Sequence, residues 1–420
     1  MNRAVLWSGA EAVAAGLLSL ASAFLIARVI GPEELGIGAA AVAVHIVLWV
    51  AANALFADAL VQRERIDDGM LSSAFWSGGV VGLLALIAQV VLGLWLADRF
   101  GDARLNLMGL ALALPLPLVG MASVSQGLLT RGRSYRALAL RTFAGQGAGV
   151  AVGIGAALGG VGAWALVWQQ ATTSIVGALV LLATGGWRPS WHWRWHEARA
   201  LLVVGLPLTG STLTQIARYR VFAVLIGAFA GAAVLGQVHM AFRLVDTVRD
   251  LTFTALWRLF LPDLARFQHD KAAMLERVDR LLRGACLLVL PLCAALALGL
   301  GPAVALLLGP NWAEAGIAAI PLTGLMAVLT LTFPAGVALI AFGQARFTLY
   351  GNLAALAACV GGVVLLRPET AWDAVMIWCA GQLAVVPYAL AVNARALGVG
   401  WWRPLSGGAV LAAILVLNGT

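Results

Sequence analysis

Charge is scarce in this chain. Of its 420 residues, 11% are Asp, Glu, Lys or Arg and 62% are hydrophobic. No soluble domain of this length could hide that much apolar surface, so the shortage of charge excludes a water-soluble globular protein. Cysteine is scarce as well. Cys286, Cys293, Cys359 and Cys379 all sit in apolar runs, with no CxxC and no Cys/His cluster. That argues against a disulfide framework or a thiolate metal centre and leaves small core residues. No Gly-rich loop ends in Lys-Ser/Thr, so the chain is not expected to be its own ATPase. GxSxG, HExxH and a loop carboxylate pair are missing, and no polar break is long enough to fold a catalytic domain. An enzyme such as a membrane-embedded glycosyltransferase or polymerase is therefore not expected, nor is a cofactor or metal.

The basic residues that are present are distributed unevenly. Eighteen of the 27 Lys and Arg fall in polar breaks on one side of a series of apolar segments: Arg3, Arg63, Arg65, Arg131, Arg133, Arg136, Arg188, Arg194, Arg199, Arg258, Arg266, Lys271, Arg277, Arg280, Arg283, Arg346, Arg395 and Arg403. Arg28, Arg99, Arg104 and Arg367 fall on the other side. Cytoplasmic loops retain Lys and Arg, so the first side is the inside. The net charge of +8 is largely this topological signal, and no nucleic-acid partner is expected.

A spanning helix needs roughly 20 apolar residues. Spans are expected near 4–27, 36–57, 72–97, 105–125, 138–159, 163–184, 201–230, 232–260, 283–308, 315–342, 347–366 and 372–393. The first run is too long for a cleavable signal peptide. Twelve spans put both termini in the cytoplasm. The break at Gly185–Ala200 carries Trp187, Trp191, Trp193 and Trp195, which suit the headgroup zone. The charged stretch Pro262–Leu282 reads as a solvated surface helix, and Leu405–Leu417 as a partial or interfacial helix.

The chain also looks doubled. IARVIGPEELGIGAAAVAV from Ile26 and VLIGAFAGAAVLGQVHMAF from Val224 each hold an Ile-Gly, a short break and a further Gly. The expected architecture is an all-α integral membrane protein of about twelve transmembrane helices, in two pseudo-symmetric six-helix bundles around a central cavity. The expected division is 1–184, a cytoplasmic linker at 185–200, 201–394, and a cytoplasmic or interfacial tail at 395–420. A Gly run in span 5 (Gly145, Gly147, Gly149, Gly153, Gly155) signals close helix packing.

Five Arg residues lie in or at the edge of spans: Arg141, Arg218, Arg220, Arg243 and Arg249. Such a charge costs about 2.5–3.5 kcal/mol on insertion scales, so it normally faces a cavity or a partner. In span 8, His239, Arg243, Asp246, Arg249 and Asp250 fall on one helical face. They form either an Arg–Asp ladder that fixes packing or the wall of a wet cavity. In span 7, Ser211, Thr214, Gln215 and Arg218 form one polar stripe, with Arg220 pointing elsewhere. In span 2, His45, Trp49 and Asn53 recur every four residues. In span 1, Glu11 shares a face with Ser8 and Ser22. Arg forks match phosphate oxygens, so a cationic cavity suggests an anionic headgroup. Leu96-Ala-Asp-Arg-Phe-Gly101 resembles the major facilitator LADRxG signature, but it falls on the wrong side of the membrane and is a chance match.

Arg28-Val-Ile-Gly-Pro-Glu-Glu-Leu-Gly36 resembles the RxLGPxxFG turn of Wzx-type polysaccharide flippases, with Leu35 in place of the aromatic. These belong to the multidrug/oligosaccharidyl-lipid/polysaccharide exporter superfamily. Ala59–Arg63 (ALVQR), Ser73–Trp76 (SAFW), Gln126–Arg131 (QGLLTR) and Gly160–Leu166 (GVGAWAL) fit the same family, and its exopolysaccharide branch in particular. The resemblance implies an undecaprenyl-pyrophosphate-linked oligosaccharide repeat turned from the inner to the outer leaflet of the bacterial cytoplasmic membrane. Polymerase and chain-length or export proteins are the implied partners. Substrate binding falls to Arg218, Arg220, Arg243, Arg249, Gln215 and Asn53, and charge balance or ion coupling to Asp246, Asp250 and Glu11. The rival expectations are an ion-coupled multidrug exporter of the same superfamily and a non-catalytic scaffold.

Overall fold

The computed structural model describes the backbone of residues 3–267, 270–341 and 346–397. Side chains are described over the same ranges except 1–15, 17, 271, 335, 339–349, 393 and 396–397, so Glu11 and the 405–417 segment lie outside the described residues. The described regular elements are all helical: α1 (Arg3–Gln62), α2 (Asp68–Phe100), α3 (Arg104–Ala113), α4 (Leu116–Arg131), α5 (Tyr135–Leu158), α6 (Trp164–Thr184), α7 (Trp195–Ala230), α8 (Ala232–Ala265), α9 (Lys271–Leu307), α10 (Ala313–Ala341), α11 (Arg346–Leu366), α12 (Ala371–Leu383) and α13 (Val386–Leu397), with a 3-10 turn at Pro310–Trp312. The protein is a multi-pass, all-α membrane protein. Among the described residues, nine segments are long and apolar enough to cross a bilayer. α8 is not among them because its charges interrupt the apolar run. α1 breaks at Gly31, whose φ of 78° and ψ of 173° are non-helical. Glycine reaches that conformation without strain, and Pro32 then opens the next helix with its preset φ. Splitting α1 at Gly31 makes ten among the described residues, and α8 with the shorter apolar helix α11 would complete the twelve crossings expected.

The chain forms two compact units, Met1–Gly236 and Gln237–Thr420. α7 packs on α1 and α2 within the first unit, so the units divide one helix later than the 185–200 linker. That linker is also not free. Trp76 stacks on Trp191 with centroids 4.7 Å apart, Ser72 meets Ser190 at 2.8 Å, and Ser73 donates to Glu197 at 2.6 Å. Of its four Trp residues, Trp193 also donates to Ser77 at 3.0 Å. The indoles therefore clasp α2 as well as suiting an interface.

The charged stretch Pro262–Leu282 is not a separate surface helix. It is the end of α8 and the start of α9, capped by Asp270. Met274, Val278 and Leu256, Phe260, Leu264 form one buried cluster, and Arg277 pairs with Asp263. Its amphipathic pattern thus buries an apolar stripe against the preceding helix.

Both units tie their expected outer helix starts together with one polar side chain near the start of a crossing. In the first, Glu34 accepts from the Ala163 backbone N–H at 2.6 Å and from Arg104 at 2.9 and 3.1 Å. In the second, Gln237 donates to the Asn311 carbonyl at 2.7 Å and accepts from the Ala315 N–H at 2.9 Å. Glu314 then accepts from the Ala371 N–H at 2.6 Å. Each set satisfies orphan N–H groups at helix starts that lipid could not satisfy.

Candidate functional site

In the second unit, α8 carries its polar face as the sequence places it. His239, Arg243 and Asp246 are half-buried. Arg249 is engaged by Asp246 at 2.7 Å and by Asp250 at 3.0 Å. The Arg–Asp ladder is therefore present. Asp250 is largely exposed, at 69% of its side chain, while Arg249 and Asp246 are at 33% and 27%. The two carboxylates hold Arg249 along the helix.

In the first unit, α7 runs unbroken through Pro207. The hydroxyls of Ser211 and Thr214 donate back to the Leu208 and Gly210 carbonyls at 2.8 Å each. Such back-bonding satisfies a hydroxyl within its own helix. Gln215 is exposed, Arg218 and Arg220 are half-buried, and the Arg220 guanidinium lies 5.2 Å from the Tyr219 ring centroid.

Asn53 is placed differently from the other expected residues. It lines a cavity of about 290 Å³ between α1, α4, α5 and α6. Trp49, Arg141, Gln146, Gln170 and Thr173 share that wall, with Gly145 and Gly177 opening the space. The Arg141 guanidinium sits 5.6 Å from the Trp49 ring centroid, a distance at which the ring quadrupole attracts the cation. Gln146 Oε1 is buried with no hydrogen-bond partner among the described residues. His45, one turn before Trp49, is fully buried and bonds Ser174 Oγ at 3.2 Å. It is a packed, hydrogen-bonded core residue. Gln215, Arg218 and Arg220 are not on this wall.

The sequence grouped Asn53 with Gln215, Arg218 and Arg220 for substrate binding, and the structure places it on this cavity wall without them. Arg141 stood out in the sequence as an Arg at the edge of span 5, but nothing in its neighbourhood showed that α6 would bring Gln170 and Thr173 opposite it. The chance LADRxG match ends in Gly101, whose φ of 65° caps α2.

A sequence family described as "Polysaccharide biosynthesis protein" matches residues 25–316. The succinoglycan biosynthesis transport protein ExoT of Rhizobium meliloti (strain 1021) is 24% identical over 330 residues, 78% of this chain and 66% of ExoT. The lipopolysaccharide biosynthesis protein WzxC of Escherichia coli (strain K12) is 23% identical over 323 residues, 73% of this chain and 63% of WzxC. The alignments thus span just under two thirds of those relatives' own length. Among solved structures, the lipid II flippase MurJ in an inward closed conformation superposes with a TM-score of 0.74 at 11% identity, covering 99% of this chain and 93% of MurJ. An inward-facing MATE family multidrug transporter of the MOP superfamily gives 0.63 at 15% identity, covering 98% and 99%. At those identities the structural likeness speaks for the fold. The resemblance first seen in the Arg28–Gly36 turn therefore holds at the level of the family, and the chain belongs to the polysaccharide biosynthesis protein family.

Proposed function

We propose that this protein carries a lipid-linked oligosaccharide from the inner to the outer leaflet of the bacterial cytoplasmic membrane for exopolysaccharide assembly. The expected substrate is an undecaprenyl-pyrophosphate-linked repeat. The observation that carries the reading is the half-buried polar face of α8 in a chain whose relatives bear transport and polysaccharide biosynthesis names. Arg243 and Arg218 are the proposed pyrophosphate ligands. Arg249 joins them once its pairing with Asp246 and Asp250 is exchanged for phosphate oxygens. Gln215 and Arg220 line the same path, while Asp246, Asp250 and Glu11 balance charge or carry a coupling ion. The head crosses between two six-helix bundles by alternating access while the lipid tail stays in the bilayer. Both termini stay cytoplasmic. No bond is made or broken in this cycle, so the protein acts as a transporter and not an enzyme. Polymerase and chain-length or export proteins take over the product.

The test is leaflet access of the lipid-linked repeat in cells lacking the protein, probed with a periplasmic glycosidase or lectin. The repeat should accumulate on the inner leaflet. Wild type should reverse this, and Arg243→Ala, present in the membrane at normal level, should not. Normal export by Arg243→Ala would remove that residue from the mechanism, and an unchanged leaflet distribution without the protein would sink the flippase reading.

A further inference from the structure

We propose that the Gly185–Ala200 strap between α6 and α7 is a docking surface for the headgroup of an anionic phospholipid. The strap holds its indoles open. Trp191 is 93% exposed, Trp195 58% and Trp193 53%. The backbone beneath them is nevertheless fixed. The Ser190 carbonyl accepts from the Trp76 indole N–H at 3.0 Å, and the Arg194 backbone N–H donates to Ser73 Oγ at 3.0 Å. Exposed apolar surface on an ordered segment marks contact with a membrane or a partner. An indole joins an apolar ring to one N–H donor, which suits the level between water and acyl chains. Farther along α7, exposure passes to Val203 and Leu206, as acyl chains require.

Charge selects the lipid. Arg188, Arg194 and Arg199 stand exposed among the indoles, and none of the three forms an ion pair among the described residues. The one acid of the strap, Glu197, is buried and taken up by Ser73 and His192. The exposed charge of the strap is therefore positive alone. The other turns at this end of the first unit differ. Residues 62–68 mix Arg63 and Arg65 with Glu64, Asp67 and Asp68. Arg131 is spent on the Leu60 and Glu64 carbonyls, and neither turn carries an indole. Guanidinium forks match phosphate oxygens. A zwitterionic headgroup brings an ammonium that the same cations repel, so the fit is to phosphatidylglycerol, whose phosphate charge is not offset. Because the strap is ordered beforehand, docking costs little conformational freedom. The inference needs a chain that spans a membrane and not the proposed cargo, so it is independent of flipping.

The experiment is native mass spectrometry of the full chain, released from detergent micelles titrated with dioleoyl-phosphatidylglycerol or dioleoyl-phosphatidylcholine. Wild type should hold the phosphatidylglycerol between about tenfold and about a hundredfold more tightly, since each Arg near an anionic lipid surface contributes about fivefold. The triple variant Arg188→Gln, Arg194→Gln, Arg199→Gln should bring it down to the level of the phosphatidylcholine. These side chains are exposed, so the unfolding midpoint in lipid-free detergent should match wild type. The double variant Arg133→Gln, Arg136→Gln, exposed at the same end of the unit, should keep the wild-type preference. Trp191→Ala, which leaves every charge in place, should weaken both lipids together. Equal retention of the two lipids by wild type, or a preference that survives the triple variant, would overturn the inference. So would a loss in the double variant as large as in the triple one, which would show diffuse charge and no local surface, or unchanged retention by Trp191→Ala. Displacement of the lipid by an equal concentration of sn-glycerol 1-phosphate would show a site for a free anion and overturn it as well.

Discussion

Single residues at the expected outer rim carry more of the architecture than their exposure suggests. Glu34 belongs to the turn that resembles the family motif, yet the structure gives it a mechanical task. It caps the start of α6 through Ala163 and forks Arg104, which in turn holds Asp102 at 2.8 Å. Removing an N-terminal cap costs about 0.5–2 kcal/mol. Glu34→Ala should therefore cost stability in that range, read as a lower thermal unfolding midpoint in detergent. Glu34→Gln, which still offers an oxygen to Ala163, should lose less. Asp102 adds a pH dependence. Hydrogen bonds from Arg104 hold its carboxyl below the usual carboxylate range, and partial burial opposes them. A carboxyl depressed in the folded state stabilises above its unfolded value of 3.8 and loses that contribution as pH falls through the folded value. Unfolding midpoints taken between about pH 6 and about pH 3 should fall less steeply for Asp102→Asn than for wild type. Parallel curves would mean that the Arg104 fork does not shape acid stability.

At the scale of the element, glycine decides which helices touch. The Gly run of α5 reads in sequence as one packing surface, and the structure resolves it into two. A Cβ on Gly145 would stand 3.0 Å from the Thr173 carbonyl, one on Gly149 would strike Thr173, and one on Gly153 would meet Gln169 at 2.7 Å. These three, spaced by four, seat α5 on α6. Gly147 and Gly155 face open space, with nothing within 4 Å. Gly149→Val should therefore separate the helices and cost about 1–3 kcal/mol by overpacking. Gly147→Ala should be neutral or stabilising by up to about 1 kcal/mol, because alanine suits a helix interior better. Detergent thermal melts of the two variants, shifted in opposite directions, are the expected result. Equal destabilisation would mean that Gly147 packs in a way these contacts do not capture. The spacing of apolar runs located the crossings because each must be about as long as the hydrocarbon is thick. It did not foresee that α8 and α9 would absorb the charged Pro262–Leu282 stretch, since an amphipathic pattern alone does not say whether its apolar stripe meets lipid or a neighbouring helix. The candidate sites divide the same way. The α8 face was legible because all its charges lie on one helix. The cavity among α1, α4, α5 and α6 was not legible, because Asn53, Arg141, Gln146, Gln170 and Thr173 come together through packing of separate helices.

For the whole molecule, the doubling of the chain has a physical counterpart inside the first unit. Gly31 and Gly231 share one non-helical conformation, φ 78° with ψ 173° and φ 91° with ψ 169°. The Ile226-Gly227 step that pairs with Ile30-Gly31 in the sequence lies within α7, so the structural repeat runs from Gly231. Each positive-φ glycine opens a helix, and each helix carries a further glycine five positions on, Gly36 and Gly236. These contact each other's helix starts reciprocally. A Cβ on Gly36 would strike the Ala232 carbonyl, and one on Gly236 would strike the Pro32 carbonyl. Helix backbones cross this closely only through small residues, and backbone atoms cannot swing aside as a side chain can. Gly36→Ala and Gly236→Ala should thus destabilise to similar extents, each by about 1–3 kcal/mol. The double variant is the informative one. Once one Cβ has pushed the two helices apart, the second enters space already opened, so the combined loss should fall short of the sum. A double-mutant cycle on thermal unfolding in detergent reads this coupling directly. Additive losses would show that the two glycines pack independently and that the repeat is a likeness of sequence without a shared crossing. A subadditive result would place matched positions of the two half-chains at one joint.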